Sequence, residues 1–261
     1  MELGMVGLGK MGANMARRLL AGGHRVLVYD REPAVVSALS SEGAEGTATL
    51  DELVSSLHSP RAVWLMVPAG EPTERVCDEL VAVCTPDDVI LDGGNAFYKD
   101  SLRRATRLRE RRIHFLDVGM SGGIWGRERG YCLMVGGEEA AVRRLEPIFK
   151  TLAPPDGYLH VGPSGSGHFV KMVHNGIEYG MLQAYAEGFA LLRQADFSMD
   201  LARIATLWNH GSVVRSWLLE LAQRALEQEP DLASVEGCVE DSGEGRWMVH
   251  EAVDLGVPIP V

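Results

Sequence analysis

Short apolar runs alternate with longer stretches of mixed polarity from the first residue to about residue 160. Strands are expected at residues 3–7, 25–30, 62–67, 89–92 and 113–118. Between them, residues 12–21, 71–83 and 101–112 carry the spacing of amphipathic helices. Alternation of this kind predicts βαβ units and a parallel sheet with helices on both faces. A further strand–helix–strand pattern at 131–135, 138–150 and 157–160 would extend the sheet at its edge.

The pattern changes at "VGPSGSGHF". A Gly/Ser/Pro cluster of this kind marks a hinge or a helix start, and beyond it the strand signals stop. Residues 165–255 read as helical, with one long helix to about residue 194, then 199–209, 213–228 and a loop-rich tail. No internal repeat or low-complexity segment is present. The expected architecture is α/β, a doubly wound parallel sheet over residues 1–161, followed by an all-α domain over residues 162–261.

Composition changes this picture little. The 261 residues are 46% hydrophobic and 23% charged, as in a soluble globular chain. A net charge of −11 argues against a nucleic-acid surface or an anionic membrane as partner. An anionic substrate would need a local cluster of donors working against that field. Cys77, Cys84, Cys132 and Cys238 show no CxxC and no metal spacing, so reduced, mostly buried thiols are expected. With no run of eighteen apolar residues and no basic-then-apolar leader, the cytoplasm is the expected compartment.

The stretch "MVGLGKMG" places Gly7, Gly9 and Gly12 in the G-x-G-x-x-G spacing, with Leu8, Lys10 and Met11 between them. The motif gains its weight from position, after a strand and opening a helix. The first glycine permits a tight turn, the second lets a pyrophosphate reach the backbone, and the third lets helix and strand pack closely. The helix N-terminus adds free N–H groups and positive dipole. This points to a Rossmann-type domain. The acidic residue expected some twenty positions on is Asp30, which would accept from the adenosine ribose and repel a 2′-phosphate. NAD is therefore expected over NADP, although the neighbouring Arg31 offers a guanidinium to adenine or to that phosphate.

The stretch "HFVKMVHNGIEYG" sets polar groups into an apolar helix. At about 100° per residue, His174, Asn175 and Glu178 fall within about 60° of Lys171, and Glu178 lies about 10 Å along the axis. Two readings stay open on the residues alone. The arc is either a solvated face, or a row of amine, amide and carboxyl set against an apolar wall. In the second case the wall lowers a lysine pKa and raises that of a glutamate, the shifts that suit a general base and a general acid. His168 and His174 lie about 120° apart around the helix and cannot share a metal, so no metal site is expected.

With these residues in view, the chain resembles the decarboxylating 6-phosphogluconate dehydrogenase family. The matches are "GLGKMGANMARRL", "DGGNAFYKDSLRR", "DVGMSGG" and "GHFVKMVHNGIEYG". "SGGIWGRERGYCLMVGG" and the compact helical domain resemble its short, often NAD-linked branch. The resemblance implies oxidation of 6-phosphogluconate to ribulose 5-phosphate and CO2. Lys171 would take the proton of the 3-hydroxyl and Glu178 would protonate C1 after CO2 leaves. Asn175 and His174 would hold substrate hydroxyls, and Tyr179 the phosphate. Ser121, Gly122 and Gly123 would donate toward the carboxylate. Asn95 would touch both substrate and nicotinamide, and Val67, Pro68 and Ala69 would form a cofactor loop. A homodimer or homotetramer is implied as well.

Two departures stand out. The family carries a lysine and a threonine for the phosphate in a KGTGKW-like stretch, where this chain has "SGEGRW". The chain also stops at "VPIPV", before the family's phosphate-contacting arginine. Either the C-terminus has been lost or a partner subunit supplies the donors. Two rivals remain: a non-decarboxylating β-hydroxyacid dehydrogenase of the 3-hydroxyisobutyrate type, and a non-catalytic NAD-binding protein.

Overall fold

Eight strands form one sheet in the computed structural model, which describes residues 1–239 and 241–260. Glu240 and Val261, both in the expected loop-rich tail, lie outside the described residues. The strands are β1 (Glu2–Val6), β2 (Arg25–Tyr29), β3 (Glu45–Gly46), β4 (Ala62–Leu65), β5 (Val89–Asp92), β6 (His114–Ser121), β7 (Cys132–Gly136) and β8 (Tyr158–Gly162). The helices between them are α1 (Lys10–Ala21), α2 (Pro33–Ser41), α3 (Leu50–Ser55), α4 (Glu71–Val83), α5 (Tyr98–Glu110), α6 (Gly126–Arg129) and α7 (Glu139–Leu152). Then follow α8 (Ser166–Gln194), α9 (Leu201–Asn209), α10 (Trp217–Gln228) and α11 (Glu244–Leu255). Two compact units result, residues 1–172 and 173–261.

The sheet order is β3-β2-β1-β4-β5-β6-β7-β8. The chain winds outward from β1 to β3, then returns to the other side of β1 at β4. Between β1 and β4 the order therefore reverses, the point where doubly wound sheets bind their ligands. Side chains alternate between two cores. Met5, Val28, Trp64, Leu91 and Val118 face one, with residues of α1 and α7. Val6, Leu27, Leu65, Ile90 and Phe115 face the other, with residues of α3, α4 and α5. Burial on both faces is what a parallel sheet requires.

One pairing departs from the expected parallel sheet. β6 runs parallel to β5 but antiparallel to β7, with Asp117 opposite Gly136 and Ser121 opposite Cys132. Only ten residues separate β6 from β7, too few for a parallel crossover. The same pairing carries β6 through Gly119 to Ser121, three residues past the expected end at 118.

In the second unit, α9 and α10 open on side-chain caps. Asp200 accepts from the Arg203 N–H and Ser216 from the Leu219 N–H. Phe189 and Trp208 meet with ring centroids 5.8 Å apart. Trp208, Trp217, Leu218 and Leu221 are half-buried. The tail expected to be loop-rich contains α11, twelve residues long. Gly243 just before it and Gly245 in its first turn mask the helical pattern in the sequence. No helix among the described residues is long and apolar enough to cross a membrane.

The thiols correct a further expectation. All four cysteines are free, but Cys132 and Cys238 are exposed rather than buried. Burial pushes the Cys77 and Cys84 thiols up to about 12. Since the thiolate is the nucleophile, an aromatic disulfide reagent at pH 8 should spare Cys77 and Cys84 in the folded chain and reach all four thiols in denaturant. Mass mapping of the labelled sites checks this.

Candidate functional site

At the switch point, β1 is followed by Gly7, whose φ of +92° suits glycine. Leu8 is buried, Gly9 and Lys10 are exposed, and Met11 is half-buried at the start of α1. The Leu8 N–H donates to Asp30 Oδ2 at 2.7 Å, and the Glu32 N–H donates to Asp30 Oδ1 at 2.9 Å. These two bonds fix the carboxylate beside the glycine loop, while Arg31 is exposed next to it. The loop after β4 lies alongside, since a Cβ on Gly7 would come 2.5 Å from the Met66 carbonyl oxygen. Val67 there is half-buried, Pro68 and Ala69 are exposed, and the Pro68 carbonyl accepts from Thr73 Oγ1 at 2.9 Å.

Asn95 is exposed just beyond β5, on a turn held by a buried carboxylate. Asp92 Oδ1 accepts from the Gly94 N–H at 3.0 Å, and Arg104 donates to Asp92 Oδ2 at 2.9 Å. Neither the Asp92 nor the Arg104 side chain has any exposed surface. Arg104 Nε also donates to Glu74, 2.9 Å away. Burial acts to raise the Glu74 pKa, but the Arg104 charge and hydrogen bonds from Arg103 and Arg104 outweigh it and hold it below the ordinary value. Removing one partner of such a buried pair costs about 3–5 kcal/mol, because the other charge is left uncompensated.

Ser121 closes β6, half-buried. Gly122 and Gly123 follow with φ of +133° and +52°, a turn that side chains resist. Upstream on the same strand, Asp117 is fully buried. Its Oδ1 accepts from the Gly165 N–H at 2.6 Å and its Oδ2 from the His168 N–H at 2.9 Å. Desolvating one carboxylate costs several kcal/mol. Two charge-assisted bonds at about 1.5–3 kcal/mol each, with the positive end of α8, offset it. Ser101 Oγ and His168 Nδ1 lie 2.7 Å apart, tying α5 to α8, and His168 is itself buried.

Lys171, half-buried, follows one turn after His168. A Cβ on Gly119 would come within 2.4 Å of Lys171 Cβ and 2.7 Å of the Gly167 carbonyl oxygen. The strand therefore has no room for a side chain of its own where the helix meets it.

The second unit begins within α8. His174 Nδ1 lies 3.0 Å from Asn175 Oδ1 and 3.8 Å from Glu178 Oε2. His174, Asn175 and Glu178 are half-buried, the Glu178 side chain at 40% exposure, and Tyr179 is exposed. Ile177 is 57% exposed. Gly176 packs on α11, where an added Cβ would strike Met248 Sδ, and Gly245 lies against the Tyr179 ring. The "SGEGRW" stretch thus adjoins Tyr179. Its Glu244 is buried and accepts from Ser242 Oγ at 2.6 Å, and Arg246 pairs with Asp241.

Asp92, Ser101, Arg104, Asp117 and His168 were not among the residues expected to shape the site. The available signal was an aspartate closing or interrupting an apolar strand, in "DGGN" and in "DVGMSGG". Among the described residues, no three His, Cys, Asp or Glu side chains gather as a metal cage would need.

Comparison with known proteins finds matches along nearly the whole chain. Residues 2–162 match the model for the NAD binding domain of 6-phosphogluconate dehydrogenase, and residues 167–261 match that for its C-terminal domain. The chain is 44% identical over 263 residues to the NAD(+)-dependent, decarboxylating 6-phosphogluconate dehydrogenase of Haloferax volcanii, covering 100% of this chain and 87% of that one. It is 36% identical over 276 residues to the NADP(+)-dependent, decarboxylating enzyme of Bacillus subtilis, covering 59% of that longer protein. The solved 6-phosphogluconate dehydrogenase of Plasmodium falciparum superposes with a TM-score of 0.90 at 30% identity, covering 100% of this chain and 59% of that one. The chain belongs to the 6-phosphogluconate dehydrogenase family.

Proposed function

We propose that the chain oxidises and decarboxylates 6-phosphogluconate to ribulose 5-phosphate and CO2 with NAD. The observation that carries this is a lysine and a glutamate two turns apart on α8, the Cβ of the lysine packed against the strand at Gly119, in a chain of this family. Residues 1–161 serve as the cofactor domain and 162–261 as the substrate and assembly domain. The exposed Ile177, Met181 and Leu182 on α8 support a homodimer or homotetramer. A cytoplasmic location fits four free thiols.

The glycine loop fits a dinucleotide. Nothing lies within 4 Å of where a Gly9 Cβ would stand, so the backbone there is open to a phosphate. Gly12 differs: its Cβ would sit 2.0 Å from the Gly7 carbonyl oxygen. Gly7, Leu8, Gly9, Lys10, Met11 and Gly12 would hold the pyrophosphate, Asp30 and Arg31 the adenosine end, and Val67, Pro68, Ala69 and Asn95 the nicotinamide half. Bound NAD supplies the acceptor for the hydride of C3.

The residues do the rest. Lys171 takes the proton of the 3-hydroxyl, leaving a 3-keto acid. Loss of CO2 leaves the electron pair of the broken bond in an enediolate, and Glu178 delivers the proton to the former C2, which becomes C1 of ribulose 5-phosphate. His174 and Asn175 orient substrate hydroxyls. The N–H groups of Ser121, Gly122 and Gly123 hold the carboxylate, and Tyr179 meets the phosphate. Base and acid serve different carbons, which accounts for their separation along the helix.

NADH formation and CO2 release are expected with 6-phosphogluconate and not with gluconate; absence of both products would leave only a dinucleotide binder. Glu178→Gln should lower the decarboxylating turnover roughly 10²–10⁴-fold while NAD binding survives. Undiminished turnover would show that Glu178 is not the acid. With Asp30 fixed by two backbone bonds, kcat/KM should favour NAD over NADP by about tenfold or more, near 1.4 kcal/mol. Gly12→Ala should cost about 1–3 kcal/mol of stability through overpacking, read as a lower Tm. Gly9→Ala should leave Tm unchanged and weaken NAD binding in a fluorescence titration.

A further inference from the structure

We propose that Asp117 is a positioning residue that sets the rotation and height of α8, and so the place of Lys171. The inference rests on the reading of Lys171 as the proton acceptor.

The match between strand and helix is two-point. Asp117 and Gly119 are two apart on β6 and so share one face, about 7 Å apart along the strand. On α8, His168 and Lys171 are three apart and share one side, about 4.5 Å apart along the axis. Asp117 grips the start of the helix through the Gly165 and His168 N–H groups. Gly119 receives Lys171 one turn later. A Cβ on Gly167 would come 2.3 Å from the Asp117 carbonyl oxygen and 2.5 Å from that of Met134. A Cβ on Gly136 would come 2.6 Å from the Gly167 nitrogen and 2.7 Å from Asp117 Oδ1. With backbone against backbone, the helix can slide or turn easily unless something directional holds it. Asp117 supplies the direction, since two N–H vectors converging on one carboxylate fix both rotation and height. The Ser101–His168 contact at 2.7 Å adds a brace from α5.

Asp117→Asn tests this. It keeps the shape but sets an NH2 group against one of the two N–H donors. In the full chain, kcat should fall roughly ten- to a hundredfold, the cost of misplacing a reacting group by about 1 Å. The NAD Kd should stay within twofold, and amide exchange over residues 165–172 should speed up while β1 and β4 stay protected. A kcat within twofold of the parent, or unchanged exchange over 165–172, overturns the proposal. Should Asp117→Asn not fold, Asp117→Ser, which leaves room for a water in place of the carboxylate, carries the same expectations. Lys171→Ala separates the two claims. If it keeps turnover, the base assignment falls and this inference with it. If it is inactive while Asp117→Asn is undiminished, only the positioning role falls.

Discussion

The start of helix α8 meets the sheet backbone to backbone at Gly136 and Gly167, with Gly119 beside Lys171, and the rest of the candidate site depends on that approach. Helices normally stand off a sheet by the thickness of two interdigitated side chains. Here the gap closes to backbone contact, which only glycine permits on both partners. The gain is position: a lysine on such a helix starts from a point fixed by strand geometry. The cost is a buried helix terminus, and Asp117 meets it by accepting two of the N–H groups there.

The same device operates at the other end of the switch point. Gly12 lets α1 settle against the Gly7 carbonyl, and Gly7 itself lies against the backbone at Met66. Glycine therefore lets backbone approach closely at the ends of β1 and β6. Asn95 and its neighbours complete the row after β5, held from below by Asp92 and Arg104.

Buried carboxylates recur along this edge. Asp92 and Asp117 are register neighbours on adjacent strands, fully buried, in a chain of net charge −11. Side by side and unpaired they would repel strongly in a low-dielectric interior. Each has its own counterpart instead, the Arg104 guanidinium for Asp92 and the N-terminal amides of α8 for Asp117. Neither counterpart is shared, so the two strand ends hold their loops independently.

Much of this was legible in the residue order because its cause is local. Short apolar runs, the glycine spacing at 7, 9 and 12 and the helical period from Lys171 to Glu178 act over a few residues, where backbone sterics and helix geometry are the same in any protein. Tertiary contacts decided what remained. The antiparallel turn of β7 follows from a ten-residue connection and from pairing with β6. Helix α11 forms although Gly243 and Gly245 weaken its pattern, because Gly176 lets it pack on α8 at Met248. The exposure of Cys132, Cys238 and Ile177 depends on which elements happen to cover them. The work of Asp117 was invisible in sequence, since its two partners lie 48 and 51 residues away and are backbone groups that every residue but proline carries.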